Sequence, residues 1–278
     1  MSGADRSAAA FCAQLVRDHD FDRYASTLFV PADKRRPLLA LYAFNAEVSR
    51  VRDQVSQPLP GEIRLQWWTD ALAGSGHGDV EQNPVAAELL LAVRSHDLPA
   101  DRLAKLIDAH IFDLYNDPMP DLAVLESHFR DTSGTLFACA ARILGDGAEA
   151  VDHAAEHAGL AHGVVRIAAR LPYDAARRQL YLPLDMLKQN GGGEEDVFAG
   201  KLTPAIHATL EQLIKGAQEQ QTIADGMLAD VTQPACAAFL PTALVKYDLS
   251  RMSVAGFDPF ALYLRSRLRT LWTLWRAS

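Results

Sequence analysis

Two short segments set charges of both signs at helical spacing. In FNAEVSRVRD (44–53), Arg50 and Asp53 are three apart and Glu47 stands one turn before Arg50, so one helix face would carry all three. In GVVRIAARLPYD (163–174), Arg166 and Arg170 are four apart on one face. Pro172 follows, a residue expected to break or bend the helix just before Asp174. Two kinds of chemistry fit such clusters. Arginines and aspartates can close on each other as an internal ion-pair network, or the guanidinium groups can hold a phosphate or carboxylate.

Other reactive residue types are less telling. His153 and His157 sit at i, i+4 spacing, and His110 and His162 lie on apolar stretches, but no cysteine pair or HExxH pattern accompanies them, so no metal site is expected there. The tandem Trp67-Trp68 reads as helix packing, and GGGEED (191–196) as a solvated loop. Near the C-terminus, Arg265, Arg267, Arg269 and Arg276 alternate with Leu264, Leu268, Leu271, Trp272 and Trp275. That basic, apolar stripe suits either packing on the body of the protein or lying on an anionic membrane surface.

The elements that must position these residues are helices. PVAAELLLAVRSH, ADRLAKLIDAHIFDLY, LESHFRDTSGTLFACAARILG, DHAAEHAGLAHGVVRIAARL, PAIHATLEQLIKGAQEQQTIADGML and DPFALYLRSRLRTLWTLWR all repeat their apolar residues with the helical period. Alternating Val-, Ile- and Thr-rich runs are missing and alanine is plentiful, so the predicted class is all-α. Pro31, Asp33 and Pro37 bracket the start of the first long helix, with Pro37 expected in its first turn, where backbone N–H groups lack partners anyway. Breakers at SQPLPGE, 74–79, NDPMPD and QNGGGEED are too short for interdomain linkers, which predicts one domain over 1–278.

Composition narrows the function. The chain has 278 residues, 49% of them hydrophobic and 22% charged, enough to bury a sizeable core. A formal net charge of -8 argues against a nucleic-acid binder, which needs a basic surface to displace counterions. Cys12, Cys139 and Cys236 are odd in number and widely spaced, as expected of reduced thiols in a cytoplasmic setting. The opening MSGADRSAAAFCAQLVRDHD is too polar for a signal peptide, and no apolar run is long enough for a transmembrane helix.

Taken in order, PADKRRPLLALYAF, EIRLQWWTDAL, LESHFRDTSGTLFACAARILG and above all DAARRQLYLPLDML resemble the squalene/phytoene synthase family, from about Tyr24 to about Leu187. The resemblance implies an isoprenoid-synthase-type bundle of antiparallel helices around a central cavity. It also implies magnesium held by two aspartate-rich motifs, and head-to-head condensation of farnesyl or geranylgeranyl diphosphate. Aligned on LYAF, the first motif falls on Ser49, Arg50 and Asp53; aligned on YLP, the second falls on Gly163, Arg166, Ala169, Arg170 and Asp174. One aspartate survives in each, and Arg177 and Tyr181 take family positions at the cavity mouth. An arginine in place of a magnesium ligand removes an oxygen and adds a cation that cannot deprotonate.

The chain therefore most resembles the branch of the family that includes mitochondrial complex I assembly factors. The expected function is binding or respiratory-complex assembly without a metal cofactor, with prenyl transfer as the alternative, for which magnesium would be needed. The implied partners are an isoprenoid or other anionic lipid-like ligand, a respiratory-complex subunit, and a membrane surface met through the C-terminal helix. For the charged cluster, the resemblance suggests two helices meeting across side chains, Arg50 towards Asp174 and Arg170 towards Asp53. Pairing of Arg50 with Asp53 is the competing arrangement.

Overall fold

The computed structural model describes residues 3–76, 80–231, 233–261, 263 and 265–278. Its α-helices are, in order, α1 (Gly3–His19), α2 (Phe21–Thr27), α3 (Ala32–Val48), α4 (Val51–Gln54), α5 (Pro58–Ala73), α6 (Pro84–His96), α7 (Ala100–Ala109) and α8 (Leu122–Phe129). They continue as α9 (Thr135–Leu144), α10 (Glu149–Ala176), α11 (Leu184–Gln189), α12 (Glu194–Phe198), α13 (Pro204–Met227), α14 (Gln233–Cys236), α15 (Thr242–Met252) and α16 (Arg267–Ala277). No strand occurs among the described residues, as the apolar periodicity predicts. Local chemistry sets several ends. Asn83 accepts from the Val85 and Ala86 amides with Pro84 in the first turn of α6, and Thr203 does the same for Ile206 ahead of α13. Gly145 closes α9 at φ 108°, a left-handed backbone where a side chain would be strained.

Two apolar clusters form the core. One joins α1, α3, α6 and α9 around Phe44, Leu41, Leu89 and Ile143; the other joins α8, α10, α13 and α15 around Leu125, Ala168, Ile206 and Leu249. Trp68 belongs to the first, buried edge-on to the Phe44 ring at 5.2 Å, in keeping with a packing role. No helix of the described residues is long and apolar enough to cross a membrane.

Five sequence expectations need correction, one being that GGGEED (191–196) is a solvated loop, since its last three residues open α12 at Glu194. The stretch LESHFRDTSGTLFACAARILG is not one regular helix, because Arg130–Gly134 form a π-helical turn between α8 and α9. Pro172 does not end its helix; α10 runs through it to Ala176. Pro37 lies inside α3, well past the first turn, since Pro31 already occupies the N-cap. The C-terminal helix begins only at Arg267, where Ser266 accepts from the Arg269 amide. Part of the segment before it, like residues 77–79 of one breaker, falls outside the described residues.

The π-turn meets α10 at very short range. A Cβ on Gly159 would stand 2.5 Å from the Gly134 nitrogen, and one on Gly163 would stand 2.3 Å from the Phe129 ring. Gly216, within α13, has nothing within 4 Å of where its Cβ would be. Gly159→Ala is therefore expected to destabilise the fold by about 1–3 kcal/mol through backbone overlap. Gly216→Ala should stabilise it by about 0.5–1 kcal/mol through helix propensity. Denaturant unfolding of the two variants beside the parent checks the opposite signs.

Candidate functional site

A cavity of about 550 Å³ opens between α3 and α10, walled also by the α1–α2 junction, the α7 C-terminus and the π-turn. Its positions follow from helical spacing. His162, Arg166, Arg170 and Asp174 recur every four residues along α10, one beneath another, while α3 contributes Asn45, Ala46 and Ser49. The extra residue of the π-turn brings Thr132 and Ser133 to the wall. Only Phe21, Ala46, Phe129, Leu136 and Ile167, beside Gly163, interrupt a polar surface.

The charged groups divide into a closed set and an open one. At the rim, the Tyr173 hydroxyl donates to Asp53 at 2.8 Å, and Arg177 lies 3.6 Å from the same carboxylate. The guanidinium groups of Arg170 and Arg177 sit over the Tyr173 ring, at 4.8 and 5.4 Å from its centre. Arg170 pairs within its own helix, 3.6 Å from Asp174. The reciprocal arrangement expected from the sequence is thus not formed, and neither is the pairing of Arg50 with Asp53. Arg170 finds its acid one turn along α10. Arg50 occupies the break between α3 and α4, at φ −106° and ψ 3°, off the regular helix that the spacing argument assumed.

Deeper in, carboxylates are again matched. His110 Nδ1 donates to Asp113 at 2.6 Å, and the Tyr181 hydroxyl donates to the other carboxylate oxygen. Burial pushes the Asp113 carboxyl up, but His110 and the Tyr181 hydroxyl outweigh it and hold the group below its ordinary value. Tyr181 in turn is driven well above its ordinary range by burial and by Asp113. Arg23, buried at the head of the cavity, pairs with Asp20 at 2.7 Å, yet its Nη2 is buried with no partner. Burial raises Asp174 to about 6, opposed by Arg170.

Arg50 and Arg166 are the open set. Both line the cavity, and neither meets a carboxylate at ion-pair distance among the described residues. Burial and the nearby Arg23 lower the pKa of Arg166, a sign that its charge is incompletely compensated. His162, 3.0 Å from Ser133 Oγ, is pushed well below the ordinary histidine value by burial, then by Arg23 and Arg166. Among the described residues, no group of three or more His, Cys, Asp or Glu converges as a metal cage. His153 and His157 lie away from the cavity, and His157 bonds Gln220 at 2.5 Å.

All seven residues singled out from the sequence therefore gather here. Arg50, Asp53, Arg166, Arg170, Asp174 and Tyr181 line the cavity, and Arg177 reaches its rim. The sequence reading missed Tyr173, His110, Asp113, His128, Ser133 and the N-terminal run Asp18 to Arg23. In that run five of six residues are ionisable, a density that was itself a signal.

The chain belongs to the squalene/phytoene synthase family, whose sequence profile matches residues 16–276. It is 31% identical over 250 residues to "NADH dehydrogenase (ubiquinone) complex I, assembly factor 6" of Mus musculus, covering 90% of this chain and 75% of that protein. It is 27% identical over 205 residues to a phytoene synthase of Thermus thermophilus, covering 72% of this chain and 68% of the relative. The fold matches that of a squalene synthase from Alicyclobacillus acidocaldarius with a TM-score of 0.76 at 19% identity, over 91% of this chain and 95% of that one. The all-α isoprenoid-synthase architecture is thereby established.

His128 gives the site a pH signature. Its pKa is pushed from 6.5 to about 4, first by burial and then by His110 and Arg166, against the pull of Asp113. The folded protein keeps it neutral where the unfolded chain would already bind a proton. Its contribution to stability is whole above pH 6.5 and is lost as the pH falls towards about 4. Asp174 runs the other way, because its raised pKa favours the folded state as the pH falls through about 6. His128→Gln should consequently lose about 1–2 kcal/mol less stability than the parent between pH 7.5 and pH 5. Asp174→Asn should make the acid loss steeper. Urea unfolding at the two pH values measures both.

Proposed function

We propose that this protein has given up magnesium-dependent prenyl transfer and serves as a binding protein in the assembly of a respiratory membrane complex. In this reading it holds an anionic group in the cavity without a metal. The observation that carries it is the presence of Arg50 and Arg166 in the cavity wall without carboxylate partners among the described residues. Both stand where the family motifs set magnesium-binding side chains, and Arg170 takes the place of a further aspartate.

The residues present do not fit a pair of magnesium ions, which need hard oxygen donors in octahedral geometry. Asp53 is already bound by Tyr173 and faced by Arg177, and Asp174 is faced by Arg170. Guanidinium groups supply no oxygen and repel the ion. At the first position of the second motif, Gly163 leaves room that the Phe129 ring fills. What remains suits an oxyanion, which arginine forks hold through charge-assisted hydrogen bonds. The assembly role rests on the name and coverage of the mouse relative.

Incubation with farnesyl or geranylgeranyl diphosphate and magnesium should release no pyrophosphate above background. Pyrophosphate with EDTA should raise the melting temperature saturably, by the amount native-state binding requires. That increment should vanish in Arg50→Ala/Arg166→Ala, measured from the variant's own baseline. Magnesium-dependent turnover would overturn the reading in favour of prenyl transfer, and an unmoved melting temperature would remove the anion site. For assembly, deletion of the gene should reduce the fully assembled NADH dehydrogenase complex on native gels.

A further inference from the structure

The packing of α16 separates its apolar residues into two faces. Thr270 and Leu274 are buried against α2 and α15, with Ala25, Leu240 and Leu244, and Leu271 packs partly beside them. Arg265, just before the helix, is clamped between Asp22 of α2 and Asp248 of α15 and donates to Thr270 at 3.0 Å. The helix is thus firmly seated, and packing accounts for its inner face. It does not account for Leu268, Trp272 and Trp275, which remain 80%, 53% and 60% exposed at i, i+4, i+7 spacing. The two tryptophan rings lie 5.2 Å apart, forming one outward patch.

Apart from Arg265, whose charge Asp22 and Asp248 already meet, this C-terminal segment carries charge of one sign, unopposed among the described residues. Residues 265–278 hold four arginines and no acid, in a chain whose formal net charge is -8. Arg267 and Arg269 are held against the Phe21 and Tyr247 rings, at 4.7 and 5.9 Å, so their charge is fixed beside the patch. Indole rings with a hydrogen-bonding edge, flanked by fixed cations, are the chemistry that settles at the headgroup level of an anionic bilayer.

We propose that the outer face of α16, formed by Leu268, Trp272 and Trp275 between Arg267, Arg269 and Arg276, docks this protein on an anionic lipid surface. The contact is interfacial, since the helix is only 11 residues long and its Thr270, Leu271 and Leu274 are committed to the body of the protein. Docking there would set the lipid surface against α2, whose Asp20, Asp22 and Arg23 line the cavity. The inference rests on the exposed face alone and does not depend on what the cavity holds.

The test is cosedimentation of the full chain with phosphatidylcholine vesicles with and without roughly a third phosphatidylglycerol, with tryptophan emission as a second reading. Binding to the anionic vesicles at low salt, with a blue shift, and release at high salt are expected. Arg276→Glu should weaken the partition coefficient by about tenfold or more, at about fivefold for each unit of charge. Leu268→Ser/Trp272→Ala/Trp275→Ala should abolish binding and leave the melting temperature nearly unchanged, because the replaced side chains are exposed. Indifference to anionic vesicles at low salt would overturn the proposal, as would equal binding by the triple variant. Equal binding to neutral vesicles would remove the arginines from it. Dimerisation of the parent that the triple variant loses would assign the face to a second copy of the chain instead.

Discussion

A charge moved from water into the interior of a helix bundle costs several kcal/mol unless an opposite charge or a set of hydrogen bonds meets it. That constraint organises this protein more visibly than its apolar core does. Glu88, buried on α6, receives both prongs of Arg36 at 2.6 and 2.7 Å. Asp113 takes His110 and Tyr181, Arg265 takes Asp22 and Asp248, and Arg23 takes Asp20. Against that background, the lack of any carboxylate among the described residues beside Arg50 and Arg166 stands out. Folding has met the interior charges nearly everywhere else, and the two it leaves open face the cavity rather than protein.

A close approach to α10 builds one wall of the cavity. Gly159 and Gly163, four apart, let the π-turn and Phe129 lie directly on the helix. The same turn shifts the register between α8 and α9 and delivers Thr132 and Ser133 to the wall. One helix thus carries a tight packing face and a ladder of cavity side chains. A substitution made for one face is felt at the other.

How far all this could be read from the sequence depends on the range of the interaction. The helices α6, α10 and α13 were legible from apolar spacing, which is local. The gathering of Arg50, Arg166, Arg170 and Asp174 was legible because helical spacing and the family motifs both point there. Their partners were not. Arg170 pairs within α10 because its own next turn holds Asp174, while Asp53 is reached by Arg177 from 124 residues away and by Tyr173, which carries no charge for a spacing argument to find. His128 and Ser133 escaped notice because a regular helix from 125 to 144 would have aimed them differently. Only the π-turn, a tertiary compromise, brings both to the cavity.

The polarity of the cavity bears on what can occupy it. An isoprenoid chain gains roughly 25 cal/mol for each Å² of apolar surface it removes from water, provided that the surface it meets is apolar too. Here it would meet His110, His128, His162, Thr132, Ser133 and Arg166, whose hydration it would strip without offering a hydrogen bond in return. The penalty for each such group is of the order of what burying one or two methylene groups contributes, so a long tail gains little by entering. A compact oxyanion reverses the balance. It brings acceptors to Arg166 and to the Ser133 hydroxyl, and it supplies the opposite charge that burial of Arg166 calls for. Under the proposed reading, the polar wall and the open guanidinium groups therefore point the same way. Both favour a small anion held by guanidinium groups over two prenyl chains.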